Sequence, residues 1–249
     1  MSIVKFRRSR RADNFKLSII VATYNEQKTI PELIAYIEQV QYPIDYEIII
    51  VDDASVKKTQ EQDGWSAKNN DVSPRAKIFK NEINRGKGFS IREGIKKAQG
   101  NILVVQDADD EYNPHDIPEL LRPILEGKSE VVYGSRFLNC FWPQGMTLPC
   151  WLANKSLTKL TNVLFGLHLT DMETCYKVFR REVIQDLPLK ANRFTFEPEV
   201  TALLAKKGIS IQELPISYHA RTKKEGKKIR PKDFFFALGF LVWEKFLVK

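Results

Sequence analysis

The 249-residue sequence predicts an α/β fold, Rossmann-like, with a mostly parallel central sheet flanked by helices. Two observations carry this. Segments apolar along their whole length alternate with helical segments, the pattern of a parallel sheet covered on both faces. Three of the apolar segments stop in acidic residues, at Glu26, at Asp52 and Asp53, and at Asp107 to Glu111. Open α/β sheets bind their ligands beyond the carboxyl ends of the strands, so these acids lie where a site is expected.

The elements follow in order. Residues 17–22 form a buried strand ending in "TYNE". A helix over 29–40 has Thr29 and Glu32 at capping-box spacing, Pro31 in the first turn, and Ile30, Leu33, Ile34 and Ile37 at helical spacing. Residues 46–53 are a second strand, the polar stretch 56–70 a broken helix, and 76–81 a weaker third strand. Residues 87–100 are a helix closed by Gly100. "NILVVQD" (101–107) is the fourth strand, followed by a helix starting at Asp116 with Glu119 at capping-box spacing. Residues 129–135 are a fifth strand. Beyond it, 137–149 reads as a surface loop, 151–166 and 194–208 as helices, the latter closed by Gly208, and 209–218 as a strand. With no repeat and no clear linker, residues 17–220 form one domain. It carries a basic arm (1–16) and a basic, aromatic C-terminal segment (221–249).

A hydrophobic content of 43% supports an ordinary core without disulfides. Cys140, Cys150 and Cys175 are odd in number and lack CxxC spacing, which suits plain thiols in a reducing compartment. No secretory signal is visible and no run reaches the ~18 apolar residues of a membrane span. Net charge is +8, with +5 in residues 1–16 and +6 in 221–249, leaving the body at −3. Basic ends attract anionic surfaces. In "RTKKEGKKIRPKDFFFALGFLVWEKFLVK" the basic residues precede an aromatic stretch, which suits a helix lying among phospholipid headgroups. A core helix or dimer face is the competing reading, and a homo-oligomer stays open. Nucleic acid is disfavoured, because no reader motif is present and the aromatics cluster.

The chemistry concentrates at the strand ends. Asp107 and Asp109 are two residues apart, so on an extended backbone their carboxylates converge. Two close anions need a cation between them, and a hard divalent ion, Mg²⁺ or Mn²⁺, is the natural one. Glu111 can add a third oxygen. Asp107 and Asp109 splayed apart, or engaged by neighbouring Arg and Lys so that no ion could enter, would end this reading. Asp52 and Asp53 suit ribose hydroxyls or a base N–H, or else a turn. In "NRGKGFSIREG" (84–94), Gly86 and Gly88 allow close backbone approach and the helix start at Lys87 and Gly88 can face a phosphate. Tight packing at helix entry is the alternative.

"SIIVATYNE", "EIIIVDDAS", "NRGKGFSIREGI", "ILVVQDADDEYNP", "VVYGSRF" and "DMETCYKVFRREV" occur in that order. The ordered set resembles the family 2 glycosyltransferases of GT-A fold, and within them the dolichyl- or polyprenyl-phosphate sugar synthase branch. The resemblance covers about residues 17 to 230. It implies a nucleotide-sugar donor, UDP- or GDP-linked, with its nucleoside held by Asp53, Glu26 and the Thr23–Tyr24–Asn25 turn. It makes Asp107 and Asp109 the metal-binding DxD, with Glu111 where relatives often carry Gln, and sets Arg136 against a phosphate. Asp171 and Glu199 match acidic positions of the family, and Arg221 and Lys228 match a tail that grips phosphates. Ala22 in place of Pro, "DMETC" and "FEPE" depart from the best-known synthases.

The implied activity is an inverting, metal-dependent transfer of a hexose to a polyprenyl phosphate at the cytoplasmic membrane face. A lipid phosphate is already anionic and needs no strong base, whereas a hydroxyl acceptor would require Asp171 or Glu199 as base. A saccharide, protein or other hydroxyl acceptor is the first alternative. A nucleotidyltransferase and a non-catalytic binding module follow.

Overall fold

The computed structural model describes residues 15–26, 29–56, 73–221 and 231–247. Seven strands form one sheet in the order β3-β2-β1-β4-β6-β5-β7. The strands are β1 (Lys16–Thr23), β2 (Asp45–Asp52), β3 (Ala76–Lys80), β4 (Ile102–Asp107), β5 (Val131–Ser135), β6 (Lys177–Arg180) and β7 (Gln212–Pro215). The helices are α1 (Thr29–Glu38), α2 (Lys87–Lys97), α3 (Ile117–Leu125), α4 (Leu148–Phe165), α5 (Arg181–Gln185), α6 (Phe196–Lys206) and α7 (Pro231–Phe246).

β1 pairs in parallel with β2 and β4, and Ile19, Ile20, Ile48, Ile49, Ile50, Ile102 and Val104 are buried. These strands are apolar on both faces because helices cover both. The register decides what lies at the edge. Thr23 pairs with Asp52, and Ala22 with Asp107, so the acidic ends of β1, β2 and β4 stand side by side.

Several elements differ from the sequence expectation. β6, inside "CYKVFRR", was not foreseen as a strand; it runs antiparallel to both β4 and β5. A four-residue strand is too short to show a period of its own, and only its neighbours fix it. The expected strand at 209–218 shrinks to β7. α4 starts at Leu148, inside the expected loop, with Pro149 in its first turn. α2 ends at Lys97 with Ala98 as its C-cap, so Gly100 does not close it. Gly100 instead crosses β1, where a Cβ would stand 2.6 Å from the Lys16 carbonyl oxygen.

Asp116 does not cap α3 with its side chain. A 3-10 turn, Pro114–Asp116, precedes the helix, and the Asn113 side chain accepts from the His115 amide. The Asp116 carboxylate turns to the Ser217 amide, 2.7 Å away. Thr29 already lies within α1, and its hydroxyl donates to the Ala108 carbonyl at 2.9 Å, tying α1 to the DxD turn. Gly208, with φ +67, does follow the end of α6 as expected. The broken helix expected at 56–70, apart from Val56, and residues 1–14 of the basic arm lie outside the described residues.

α7 packs on α4 and α6 through buried Ala237 and Leu241, and Lys206 pairs with Glu244 at 2.8 Å. Its other face is open: Phe235, Phe236 and Phe246 are 67%, 64% and 69% exposed. The helix therefore carries two apolar faces, and only one meets the domain. Among the described residues, no helix is long and apolar enough to cross a membrane.

Candidate active site

The carboxyl edge of the sheet gathers the acids. Asp107 ends β4, and the chain then bends through Asp109 to Glu111. Both DxD carboxylates are engaged by cations. Lys87 Nζ lies 2.8 Å from Asp107 and 2.8 Å from Glu197. The Arg221 guanidinium donates to Asp109 at 2.6 Å and stands 3.5 Å from Glu26. Each DxD carboxylate thus meets a base from a distant part of the chain. Glu111 also has protein partners. Its oxygens accept from the Tyr218 hydroxyl at 3.0 Å and the Arg221 amide at 2.7 Å. Among the described residues no three His, Cys, Asp or Glu side chains form a group that could hold a metal.

The charge of the cluster tests whether a divalent ion fits. Glu26, Asp107, Asp109, Glu111 and Glu197 share Lys87 and Arg221, so acids outnumber bases. Burial, and then the charges of Asp107 and Glu111, push the Asp109 carboxyl up to about 7. Asp107 moves the other way: burial acts to raise it, but the Lys87 charge holds it below the usual carboxylate range. Asp109 is therefore the carboxyl of the pair whose ionisation its surroundings oppose. Two neighbouring carboxylates in a cluster with more acids than bases fit a hard ion whose remaining ligands are substrate phosphate oxygens.

The loop before α2 owes its glycines to packing. Gly86 has φ +98, and a Cβ there would meet the Asn192 carbonyl oxygen at 2.5 Å. A Cβ on Gly88 would stand 2.9 Å from the carbonyl oxygens of Ala191 and Arg193. The amides of Gly88 and Phe89 donate to the Arg193 and Asn192 carbonyls. Those first amides of α2 are spent on protein, and no longer point at a phosphate. What the loop brings to the site is the Lys87 ammonium. Burial acts to lower its pKa, but the charge of Asp107 more than offsets this and holds it well above the ordinary value.

Asp53 is buried and accepts from the Gly86 amide at 2.6 Å, the Arg85 amide at 3.0 Å and the Asn81 side chain at 2.8 Å. It fastens the same loop to the end of β2. Asp52 accepts from the Ser55 amide and hydroxyl. Asn25 and Ala54 both have positive φ, an uncommon backbone for residues with a Cβ. The two turns clasp each other: the Asn25 amide donates to the Ser55 hydroxyl and the Val56 amide to the Asn25 side chain. Thr23 is buried at the end of β1, and its carbonyl accepts from the Asp53 amide. Tyr24, Asn25 and Glu26 form the rim beside it.

Arg136, Asp171 and Glu199 have structural partners. Arg136 Nε and one terminal nitrogen donate to the two Asp171 oxygens at 2.6 Å and 2.7 Å, and both residues are buried. The Asp171 carboxylate also accepts from the Arg136 amide. Glu199 accepts from the Lys190 and Ala191 amides at 2.7 Å and 2.9 Å. It lines a cavity of about 280 Å³ that Phe240 and Trp243 of α7 help to wall. The acid of α6 that meets the DxD cluster is Glu197. Two residues on a helix are some 200° apart, so Glu197 and Glu199 point opposite ways. Both acids belong to the same "FEPE" stretch. Lys228 lies outside the described residues.

The sequence reading also passed over Glu173. One of its oxygens is buried with no hydrogen-bond partner among the described residues. Burial, then the charge of Glu197, push its carboxyl up to about 8. Lys177, buried beneath it, donates to the carbonyls of Met172 and Thr174 and so holds this turn in shape. Neither residue had a visible signal, because an isolated acid and base become a pair only through the fold.

A family model described as Glycosyl transferase family 2 matches residues 18–188. The dolichol-phosphate mannosyltransferase of Pyrococcus furiosus is 27% identical over 221 residues, 85% of this chain; the chain spans 59% of that protein's length. The UDP-N-acetylglucosamine–dolichyl-phosphate N-acetylglucosaminyltransferase of Methanococcus voltae is 30% identical over 212 residues, 80% of this chain and 83% of that protein. Among solved structures, glucosyl-3-phosphoglycerate synthase of Mycobacterium tuberculosis, in complex with Mn²⁺, UDP-glucose and phosphoglyceric acid, superposes with a TM-score of 0.64 at 19% identity. That match covers 92% of this chain and 79% of the other. The fold likeness bears out the expected GT-A architecture.

Proposed function

The chain belongs to glycosyl transferase family 2, and on that premise we propose that it moves a hexose from a UDP- or GDP-sugar to a polyprenyl phosphate. The transfer inverts the anomeric carbon, depends on Mg²⁺ or Mn²⁺, and occurs at the cytoplasmic face of a membrane. One observation carries the acceptor class. Asp171 and Glu199, the two acids a hydroxyl acceptor would have drawn on, are both consumed by buried hydrogen bonds. A phosphate oxygen is already anionic and needs no base. The dolichyl-phosphate relatives support the same acceptor.

Asp107 and Asp109 would hold the ion, which supplies charge neutralisation at the departing diphosphate. The Mn²⁺ and UDP-glucose bound by a protein of the same fold support this assignment. Arg221 and Lys228 would meet the diphosphate, and Lys87 would keep Asp107 ionised. The turn of Thr23, Tyr24, Asn25 and Glu26, with Asp52, would wall the nucleoside, while Asp53 shapes the loop beside it. The outward face of α7, with Phe235, Phe236, Trp243 and Phe246, would lie against lipid.

Glu173 favours a second reading. A buried carboxyl with an uncommitted oxygen and a pKa raised to about 8 suits a general base for a hydroxyl acceptor. Incubation of the protein with UDP- and GDP-sugars, Mn²⁺ and polyprenyl phosphate separates the two. The first reading expects a sugar-linked lipid phosphate and a nucleoside diphosphate, both lost in excess EDTA. Transfer to hydroxyl acceptors alone, abolished in Glu173→Gln, would install the second. Absence of turnover with every donor and acceptor would sink both.

A further inference from the structure

Arg221 stands where a divalent ion is expected. Its guanidinium is 2.6 Å from Asp109 and 3.5 Å from Glu26, so it serves as a counter-charge to both carboxylates. Lys87 does the same for Asp107, but the two cations are held differently. Lys87 is locked from behind by Glu197, at the start of a helix whose entry loop is hydrogen-bonded to residues 192–193. Arg221 reaches forward from a fixed backbone. Its own amide is held by Glu111, the His219 amide by the Glu111 carbonyl, and the Ala220 amide by the Gln144 carbonyl. A rotation of the side chain alone can therefore remove the guanidinium from Asp109 while the chain stays in place.

We propose that Arg221 is the resident cation of the Asp109 site and yields it to a divalent ion only when a nucleoside diphosphate arrives to receive the guanidinium. The inference rests on the glycosyltransferase reading above. A guanidinium prefers the forked, doubly hydrogen-bonded contact that phosphate oxygens offer, and a carboxylate pair prefers a compact divalent charge. Each partner therefore gains by the exchange, whereas an ion arriving alone brings the guanidinium no new partner. Ion and nucleotide then bind as a coupled pair, and by linkage each must raise the affinity of the other by the same factor. Charge balance is kept throughout: Asp109 never faces Asp107 and Glu111 without a cation.

The test is a titration of Mn²⁺, followed by loss of the free-ion signal in electron paramagnetic resonance, with and without saturating UDP or GDP. Wild-type protein is expected to bind Mn²⁺ weakly alone and at least ~10-fold more tightly with the nucleotide it accepts. Arg221→Ala is expected to bind Mn²⁺ alone about 10-fold more tightly than wild type, with the nucleotide gain reduced. Arg221→Gln, which keeps length and polarity, is expected to behave like the alanine variant, and Arg221→Lys like wild type. Melting curves establish that each variant is folded. Equal affinity of wild type, Arg221→Ala and Arg221→Gln for Mn²⁺ alone, with binding still lost in Asp109→Asn, would overturn the inference and leave the glycosyltransferase reading standing. Failure of every variant to bind Mn²⁺ with either nucleotide would overturn both.

Discussion

Arg136 clasps Asp171 through two parallel contacts of 2.6 Å and 2.7 Å, with both side chains buried. The terminal nitrogen that reaches Asp171 also donates to the Asn154 side-chain oxygen at 2.8 Å, and the Tyr218 ring lies 5.1 Å from the guanidinium carbon. The pair joins the end of β5 to the turn that carries Glu173, and so fixes one wall of the site.

Breaking this pair from one side leaves a buried charge with no partner. Arg136→Met is expected to lower stability by about 3–5 kcal/mol. Asp171→Asn, which keeps hydrogen-bonding capacity, is expected to cost less. Urea denaturation of the two variants measures both. Equal, small losses would mean the pair is not the clasp described here.

The two acids of α6 are expected to separate functionally. Lys87→Met removes the bridge between Asp107 and Glu197, and with it the charge that keeps Asp107 ionised, and should slow transfer by ~10²-fold. Glu199→Gln, on the opposite side of the helix, should leave the initial rate within a few-fold of wild type and lower the melting temperature instead. Initial rates and melting curves at one pH compare them directly.

Asp109→Ala should lose ~10²- to 10³-fold in transfer rate without a fall in melting temperature. Ionising this carboxyl in its buried, anion-rich setting is unfavourable, which is why its pKa stands at about 7. At pH 8 the variant is relieved of that cost and gives up the Arg221 pair in exchange. A large drop in melting temperature would place the residue among the structural acids.

Glu173 gives a pH signature. Its carboxyl is raised from the ordinary 4.5 to about 8, so between those values the folded protein holds a proton that the unfolded chain has released. Stability from this group is present at low pH and is lost as pH rises towards 8. In Glu173→Gln that contribution is absent, and the melting temperature should fall less between pH 5 and pH 8 than in wild type. Parallel pH profiles in thermal melts would refute the shift.

The two faces of α7 can be told apart by mutation. Replacing exposed Phe235, Phe236 and Phe246 with Ser should weaken binding to vesicles containing anionic lipid and leave the melting temperature close to wild type. Leu241→Ala, on the face packed against the domain, should cost about 2–5 kcal/mol in stability and spare vesicle binding. Flotation and denaturation assays on the same preparations decide it, and unchanged flotation of the serine variant removes the lipid-facing role.

The sequence alone determined the alternation of strand and helix, the acidic strand ends and the DxD, because each is written in consecutive residues. Period, apolar runs and turn chemistry are local quantities, and they identified β1, β2 and β4 with their edge of carboxylates. Only the tertiary structure decided which charges those carboxylates meet. Lys87 and Glu197 are 110 residues apart in the chain, and Asp109 and Arg221 are 112 apart. No local pattern encodes such a pairing; it is fixed by the strand register and by the packing of α2, α6 and the segment after β7 around the same edge. The same holds for Gly86 and Gly88, whose sequence suits a phosphate or a neighbouring backbone equally, until residues 191–193 fill the space that a Cβ on either glycine would need.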